Sequence, residues 1–229
     1  GNALAETIGM YDILGNANFY SNVNADLENV YTMTTIGSTA SIVEQFKSKN
    51  FKKIFLAFGE NELNNGNSAE FKTNYRKLIE KIKEYQPNVN IYLISIPPVT
   101  AEASDANING VSMSRIRSYN KQIKTLAVEE DLYFIDSIDA LGDNKDFLPN
   151  GVSNDGVNLN KAAVIDLLYY ASKESYIPTR ADLAADAEKE DEEDIEVEED
   201  VLDTSEEKSA NKPKETPKQE NTEDSSTVN

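Results

Sequence analysis

Short, nearly continuous apolar runs alternate along the chain with longer segments in which apolar residues recur at helical spacing. The runs predict strands over residues 30–36, 53–58, 90–96 and 132–135. The second and third are apolar almost throughout, as strands buried on both faces of a parallel sheet should be. This alternation of strands and helices is typical of an α/β fold.

The helix that follows the second predicted strand is the best marked. Asn67 and Ser68 are favoured N-cap residues, and Glu70 is placed to close a capping box with Asn67. Apolar residues then recur on one face: Phe71, Tyr75, Leu78, Ile79, Ile82 and Tyr85. Further helices are predicted over residues 4–14, 40–47 and 159–172, and along an apolar stripe that carries one polar residue, Asn120: Met113, Ile116, Asn120, Ile123 and Ala127.

Apolar periodicity stops near Pro178, which predicts a folded domain over residues 1–178 and an acidic tail over residues 179–229. Residues 181–229 hold 19 acidic and 5 basic residues, a net charge of −14 out of −19 for the chain. They hold no aromatic residue, so we expect disorder. We expect the tail to be either a solvating spacer or an acidic segment that binds a protein partner. Its negative charge argues against binding to nucleic acid or anionic lipid.

The residue types that are absent exclude several kinds of chemistry. The chain has no cysteine, which excludes disulfides and thiolate catalysis, and no histidine, which excludes a Ser-His-Asp triad. No apolar stretch reaches the roughly 20 residues that cross a bilayer, so no membrane insertion is predicted. The sequence begins at Gly1, and we expect a missing N-terminal piece that would contain any export signal.

Candidate site residues follow the predicted strands, where ligands bind in open α/β sheets. Gly37 ends the first run, Gly59-Glu60-Asn61-Glu62 follows the second, Pro97-Pro98 ends the third, and a loop over residues 136–158 follows the fourth. Phe58 to Leu63, which follows the second predicted strand, resembles the third sequence block of the SGNH or GDSL-type hydrolases, and later segments fit the family in the same order along the chain. That family contains esterases, lipases and carbohydrate deacetylases. The later segments that fit are Asn74-Tyr75, Pro97-Pro98-Val99, Tyr119-Asn120 and Asp155 to Asn160.

The resemblance implies a flavodoxin-like three-layer α/β/α fold with a parallel sheet, and a triad that this chain lacks. Gly1-Asn2-Ala3 stands where the family has Gly-Asp-Ser, and Asp155 to Asn158 stands where it has Asp-x-x-His. A methyl group therefore replaces the nucleophile, and a carboxamide replaces the base. Loss of either partner alone removes on the order of 10⁶ in turnover. The expected protein is a former hydrolase that acts as a binding or scaffold module.

The resemblance also implies oxyanion donors, the backbone N–H of Gly37 and the side-chain amide of Asn61. Local explanations stay open for each residue: a turn at Gly37, local capping by Asn61, an N-cap at Asn158 and a helix-start carboxylate at Asp155. An active enzyme with Ser38 or Thr39 as nucleophile is the alternative, although no base is evident. Glu60 and Glu62 are not expected to form a new acid/base pair. No metal or cofactor is predicted.

The family places a strand just before the first block, in the middle of the sheet, and this sequence contains no such strand. Its absence would leave unpaired backbone along a sheet edge. A cell-surface location and a carbohydrate or acyl-ester ligand are implied only by analogy with the family.

Overall fold

The computed structural model describes residues 1–65 and 67–189, and its three strands form one parallel sheet. The strands are β1 (Lys53–Ala57), β2 (Asn90–Ile94) and β3 (Tyr133–Ile135), in the order β1-β2-β3. Leu56 lies opposite Leu93 in the first pair, and Leu93 lies opposite Phe134 in the second. Three of the four predicted strands are thereby confirmed, with slightly shorter bounds.

Six α-helices lie between residues 3 and 174. They are α1 (Ala3–Met10), α2 (Ser68–Tyr85), α3 (Ala101–Ala106), α4 (Met113–Glu130), α5 (Ser137–Leu141) and α6 (Lys161–Glu174). Short 3₁₀ helices cover Asn29–Tyr31, Glu44–Lys47, Leu63–Asn65 and Ile108–Gly110. None of the described helices combines the length and apolar character that crossing a bilayer requires.

Alternating strand residues divide the core into two apolar clusters, one on each face of the sheet. Ile54, Leu93 and Phe134 belong to the cluster that contains the apolar faces of α2 and α4. Tyr92 and Ile135 belong to the other, which contains residues of α1, α5 and α6. Because β-strand side chains alternate between faces, this division produces the predicted three-layer α/β/α arrangement.

Asn120, the one polar residue in the apolar stripe of α4, is buried and fastens that helix to the end of β2. Its Oδ1 accepts the Ile96 N–H at 2.8 Å, and its Nδ2 donates to the Ile96 carbonyl at 2.9 Å. Ile96 lies just beyond β2, where the sheet no longer supplies partners for its backbone. A polar residue is therefore required at this core position.

Residues 30–36 do not form the predicted strand. Asn29–Tyr31 is a 3₁₀ helix, and only an isolated bridge joins Thr34 to Ser41. Asp26 Oδ1 accepts the N–H groups of Glu28 and Asn29, which favours a turn at the start of the segment. Ile36 is 93% exposed, so the β-like composition of this segment is not matched by burial.

The last described residues differ from the predicted tail. Residues 180–189 are helical, and Thr179 and Asp182 form a capping box at their start. Asp182 Oδ2 accepts the Thr179 N–H at 2.6 Å, and Thr179 Oγ1 accepts the Asp182 N–H at 3.4 Å. Gly1–Leu183 forms a compact unit. The remainder of the predicted acidic tail, residues 190–229, lies outside the described residues.

Substitution Asn120→Ala is expected to destabilise the domain by about 2–3 kcal/mol, because both backbone groups of Ile96 would lose their buried partner. Urea unfolding followed by circular dichroism measures the change. Asn74→Ala on α2 is the matched control, since the side chain of Asn74 accepts a surface hydrogen bond from Lys77. Equal effects of the two substitutions would contradict the assigned role of Asn120.

Candidate functional site

Three segments of the candidate site meet at the edge of the sheet where the parallel strands end. Residues 59–62 follow β1 directly, and the Asn2 N–H donates to the Ala57 carbonyl at 3.1 Å, which places the start of α1 beside them. The loop around Asp155 is held against the segment after β2, because the Thr100 N–H donates to the Gly156 carbonyl at 2.9 Å. This is the edge at which ligands bind in open α/β sheets.

Asp155 and Asn158 form a pair in this loop. Asn158 Nδ2 donates to Asp155 Oδ2 at 2.6 Å, and Asp155 Oδ1 accepts the backbone N–H groups of Val157 and Asn158 and the Ser153 hydroxyl. Burial acts to raise the pKa of Asp155, but these donors outweigh it and lower that pKa to about 2. Asp155 is therefore ionised at neutral pH and orients an amide.

Asn158 is not the N-cap of the last helix, contrary to the local explanation offered from the sequence. That role belongs to Asn160, whose Oδ1 accepts the Ala163 N–H at 3.1 Å. Asp155 likewise lies in the turn before α6 and does not cap its first residues. Asn158 is exposed, so its side chain is accessible from solvent.

Ala3 is the first residue of α1, and a carboxyl group lies beside that end of the helix. The Leu4 N–H donates to Glu60 Oε2 at 3.3 Å. Burial raises the pKa of Glu60 to about 7, and the hydrogen bond from Leu4 offsets part of this effect. Glu60, to which the sequence analysis gave no role, thus lies at a helix N-terminus that favours negative charge.

Asn61 and Gly37, the expected oxyanion donors, are not brought together by hydrogen bonds. Asn61 Nδ2 donates to the carbonyls of Val23 and Ala25 at 2.9 and 2.8 Å, so its amide hydrogens are both engaged by the chain itself. Gly37 has φ of +79° and lies in an exposed turn, which explains why glycine is favoured there. The turn offered as the local explanation of Gly37 fits its surroundings, whereas Asn61 bonds to backbone that is distant in sequence and does not cap its own loop.

Glu62 holds the chain segment that contains Leu27 against the loop after β1. Its Oε1 accepts the Leu27 N–H at 2.8 Å, and its backbone carbonyl accepts the Tyr119 hydroxyl at 2.9 Å. Burial raises the pKa of Glu62 to about 7, against the opposing effect of the Leu27 N–H. These contacts give Glu62 a structural role.

Asn2 is a further polar residue of the site, and the sequence analysis placed it in the first block without a role of its own. The residue is 1% exposed, and neither Oδ1 nor Nδ2 has a hydrogen-bond partner among the described residues. Its place between Gly1 and Ala3 is the only sequence signal that points to it. No group of three or more acidic side chains in residues 1–65 and 67–189 is arranged to hold a metal ion.

Substitution Glu60→Gln is expected to stabilise the domain at pH 8. At that pH, Glu60 of the wild type is ionised in a buried position, which destabilises the folded state, whereas glutamine is uncharged. Because the pKa of Glu60 is raised, its carboxyl group is protonated in the folded state and ionised in the unfolded state between about pH 4.5 and 7. Wild-type stability should therefore rise as the pH falls through that window, and the advantage of glutamine, on the order of 1–2 kcal/mol, should disappear by pH 5.

Thermal unfolding at pH 8 and pH 5 measures this difference. Glu80→Gln, on the exposed surface of α2, is the control. An advantage of Glu60→Gln that is the same at both pH values would contradict the buried-carboxyl assignment.

Comparisons with known proteins identify relatives of this fold. The model of the GDSL-like lipase/acylhydrolase family matches residues 16–163, which include residues 59–62 and Asp155 to Asn158. A search of curated proteins found no significant match.

Three solved structures illustrate the likeness of fold. A provisionally assigned platelet activating factor from Streptococcus pneumonia is 21% identical, with a TM-score of 0.60 over 75% of this chain and 79% of that one. A provisionally assigned acylhydrolase from Bacteroides fragilis is 13% identical, with a TM-score of 0.54 over 74% and 79%. A GDSL-like lipase from Bacteroides thetaiotaomicron is 14% identical, with a TM-score of 0.53 over 74% and 80%. Because the family model covers most of the described chain and these structures share its fold, the chain belongs to the GDSL-like lipase/acylhydrolase family.

Proposed function

We propose that this domain has lost Ser-His-Asp catalysis and acts as a binding or scaffold module built on a hydrolase fold. The observation that carries the proposal is the Asp155–Asn158 pair. The carboxylate that would orient a histidine accepts a hydrogen bond from a side-chain amide at 2.6 Å. An amide has no proton affinity near neutral pH, so this pair cannot activate a nucleophile.

The start of α1 supports the same conclusion. Ala3 has no oxygen to activate, and the neighbouring Leu4 N–H is already bonded to Glu60. The amide hydrogens of Asn61 are bonded to Val23 and Ala25. A reaction at this site would therefore lack the attacking group and the Asn61 amide as an oxyanion donor.

What remains at the site is suited to binding an uncharged polar ligand. Asn158 is exposed, and its Oδ1 has no hydrogen bond among the described residues. This oxygen can accept a hydroxyl proton, while Asp155 fixes the orientation of the amide. A carbohydrate or an acyl ester is the ligand class, and a cell-surface carbohydrate is the ligand that we favour by analogy with the family.

The alternative of an active enzyme with Ser38 as nucleophile has little geometric support. The Ser38 hydroxyl donates to the Ala40 carbonyl at 3.2 Å and accepts the Ala40 N–H at 3.1 Å. It is thus part of a local turn. No titratable side chain is hydrogen-bonded to it in the described chain.

The purified chain is expected to hydrolyse aryl acetates and sugar acetates no faster than a buffer blank. A serine-directed phosphonate probe should add no mass to the protein, because no serine is activated. A catalytically intact GDSL-family esterase, assayed in parallel, is the positive control. Hydrolysis well above the blank that Asn61→Ala or Asp155→Ala abolishes, or phosphonate labelling of Ser38, would contradict the proposal.

Substitution Asn158→Ala is expected to weaken binding of neutral sugar oligomers roughly three- to tenfold, the effect of one uncharged hydrogen bond. Saturation-transfer NMR with acetylated and unacetylated oligomers measures the binding. Asn154→Ala, an exposed asparagine in the same loop, is the matched control. Binding that is unaffected by Asn158→Ala would remove Asn158 from the ligand site.

A further inference from the structure

A small acidic pocket lies between the first turns of α2, the side chain of Tyr119 on α4 and the chain segment that contains Leu27. Its volume is about 50 Å³, and no lysine or arginine is found among the described residues that line it. Four carboxyl groups do line it: Asp26, Glu28, Glu62 and Glu70. None of the ion pairs within residues 1–65 and 67–189 includes one of these four. Their negative charge is therefore left for a cation from outside.

One of these carboxyl groups is buried and only half satisfied. Glu62 is 7% exposed, and its Oε1 accepts the Leu27 N–H, but its Oε2 has no hydrogen-bond partner among the described residues. The Tyr75 hydroxyl, which is fully buried, also lacks such a partner there. Burial raises the pKa of Tyr75, and the charge of Glu62 adds to this effect, so the two groups lie near each other. A buried acceptor without a donor is costly, which favours a ligand that donates to Glu62.

The outer carboxylates of the pocket are held by the chain itself. Asp26 Oδ1 accepts two backbone N–H groups, and Glu70 Oε2 accepts the Asn67 amide at 3.0 Å. Their charges attract a cation at longer range, while Glu62 Oε2 is available for close contact. The pocket is thus suited to a ligand with a single cationic donor group.

The size and the walls of the pocket restrict the kind of cation. A cavity needs roughly 10–15 Å³ to hold one water molecule, so about 50 Å³ takes a few water-sized groups. The ammonium end of an unbranched chain fits this space, whereas a sugar ring does not. Phe71 and Tyr119, whose ring centroids are 4.8 Å apart, supply an aromatic wall. Aromatic rings and a carboxylate together are favourable neighbours for an ammonium group.

We propose that this pocket binds the side-chain ammonium group of a lysine on a partner protein. The ammonium group donates to Glu62 Oε2, its methylene stem contacts Phe71, and the outer carboxylates favour the approach of a basic segment. The site uses neither Asp155 nor Asn158, so it does not depend on whether the domain hydrolyses esters.

The test titrates the ¹⁵N-labelled full chain with a capped peptide that has one lysine between glycines. The backbone N–H signal of Leu27, which is bonded to Glu62, is the reporter and should shift saturably. The same peptide with an acetylated lysine has no charge and should bind at least tenfold more weakly. Potassium chloride at the same concentration should not reproduce the shift, because a simple cation lacks the alkyl stem.

Protein variants test the location. Glu62→Gln keeps an acceptor for the Leu27 N–H but removes the charge, and should weaken peptide binding at least tenfold. Glu80→Gln removes the same charge from an exposed position of α2 and should not weaken it. Asn74→Lys leaves Glu62 in place but supplies a competing ammonium group from the wall of the pocket, so it should also abolish binding. Thr73→Lys, at the exposed neighbouring position, is its matched control.

Three results would overturn the proposal. The first is no saturable shift of the Leu27 signal at millimolar concentrations of the lysine peptide. The second is an equal shift with the acetylated peptide or with potassium chloride. The third is peptide binding that both Glu62→Gln and Asn74→Lys leave intact.

Discussion

Helices cover both faces of the sheet, α2 and α4 on one side and α1, α5 and α6 on the other, and only Lys53 and Phe55 of β1 and Asn90 of β2 are exposed among the strand residues. This double burial determines where the strands end and which loops meet there. It requires apolar residues at successive strand positions and polar partners just beyond the strands, such as Asn120 for the backbone of Ile96.

At the carboxyl edge of the sheet, the proposed loss of catalysis rests on how the loop side chains are bonded. Asp155 keeps the ionised state and the orienting role that a triad needs, but its partner is the amide of Asn158. Glu60 bonds to the start of α1, and Asn61 bonds to the chain segment that contains Val23 and Ala25. These side chains thus use most of their hydrogen-bonding capacity to hold the loops together.

The core elements could be predicted from the sequence because their signals are local. Continuous apolar runs identify β1 and β2, and the Asn67–Glu70 pair identifies the start of α2. Residues 30–36 have a β-like composition, but strand formation depends on a neighbouring strand as well as on composition, and none lies beside them in the described chain.

Polar site residues were harder to place because their partners are distant in sequence. The bonds from Asn61 to Val23 and Ala25, and from Leu4 to Glu60, have no local signature. The choice between Asn158 and Asn160 as N-cap depends on where α6 begins, which is the least predictable property of a helix. The Thr179–Asp182 capping box is a local signal for a helix, but the acidic composition of the segment favoured an interpretation as disordered.

We propose that the family's catalytic-base position holds the Asn158 amide, locked to an ionised Asp155. The most direct measurement is the pH dependence of the Asn158 side-chain amide signals in ¹⁵N NMR spectra. We expect separate signals for the two NH₂ hydrogens of Asn158, because the hydrogen bond to Asp155 slows rotation of the amide. The chemical shifts of these signals should stay constant from pH 5 to 8 and change only as the pH falls toward the Asp155 pKa of about 2. A titration of the Asn158 signals with a midpoint near neutral pH would contradict it, because a group able to act as a base would then lie at this position.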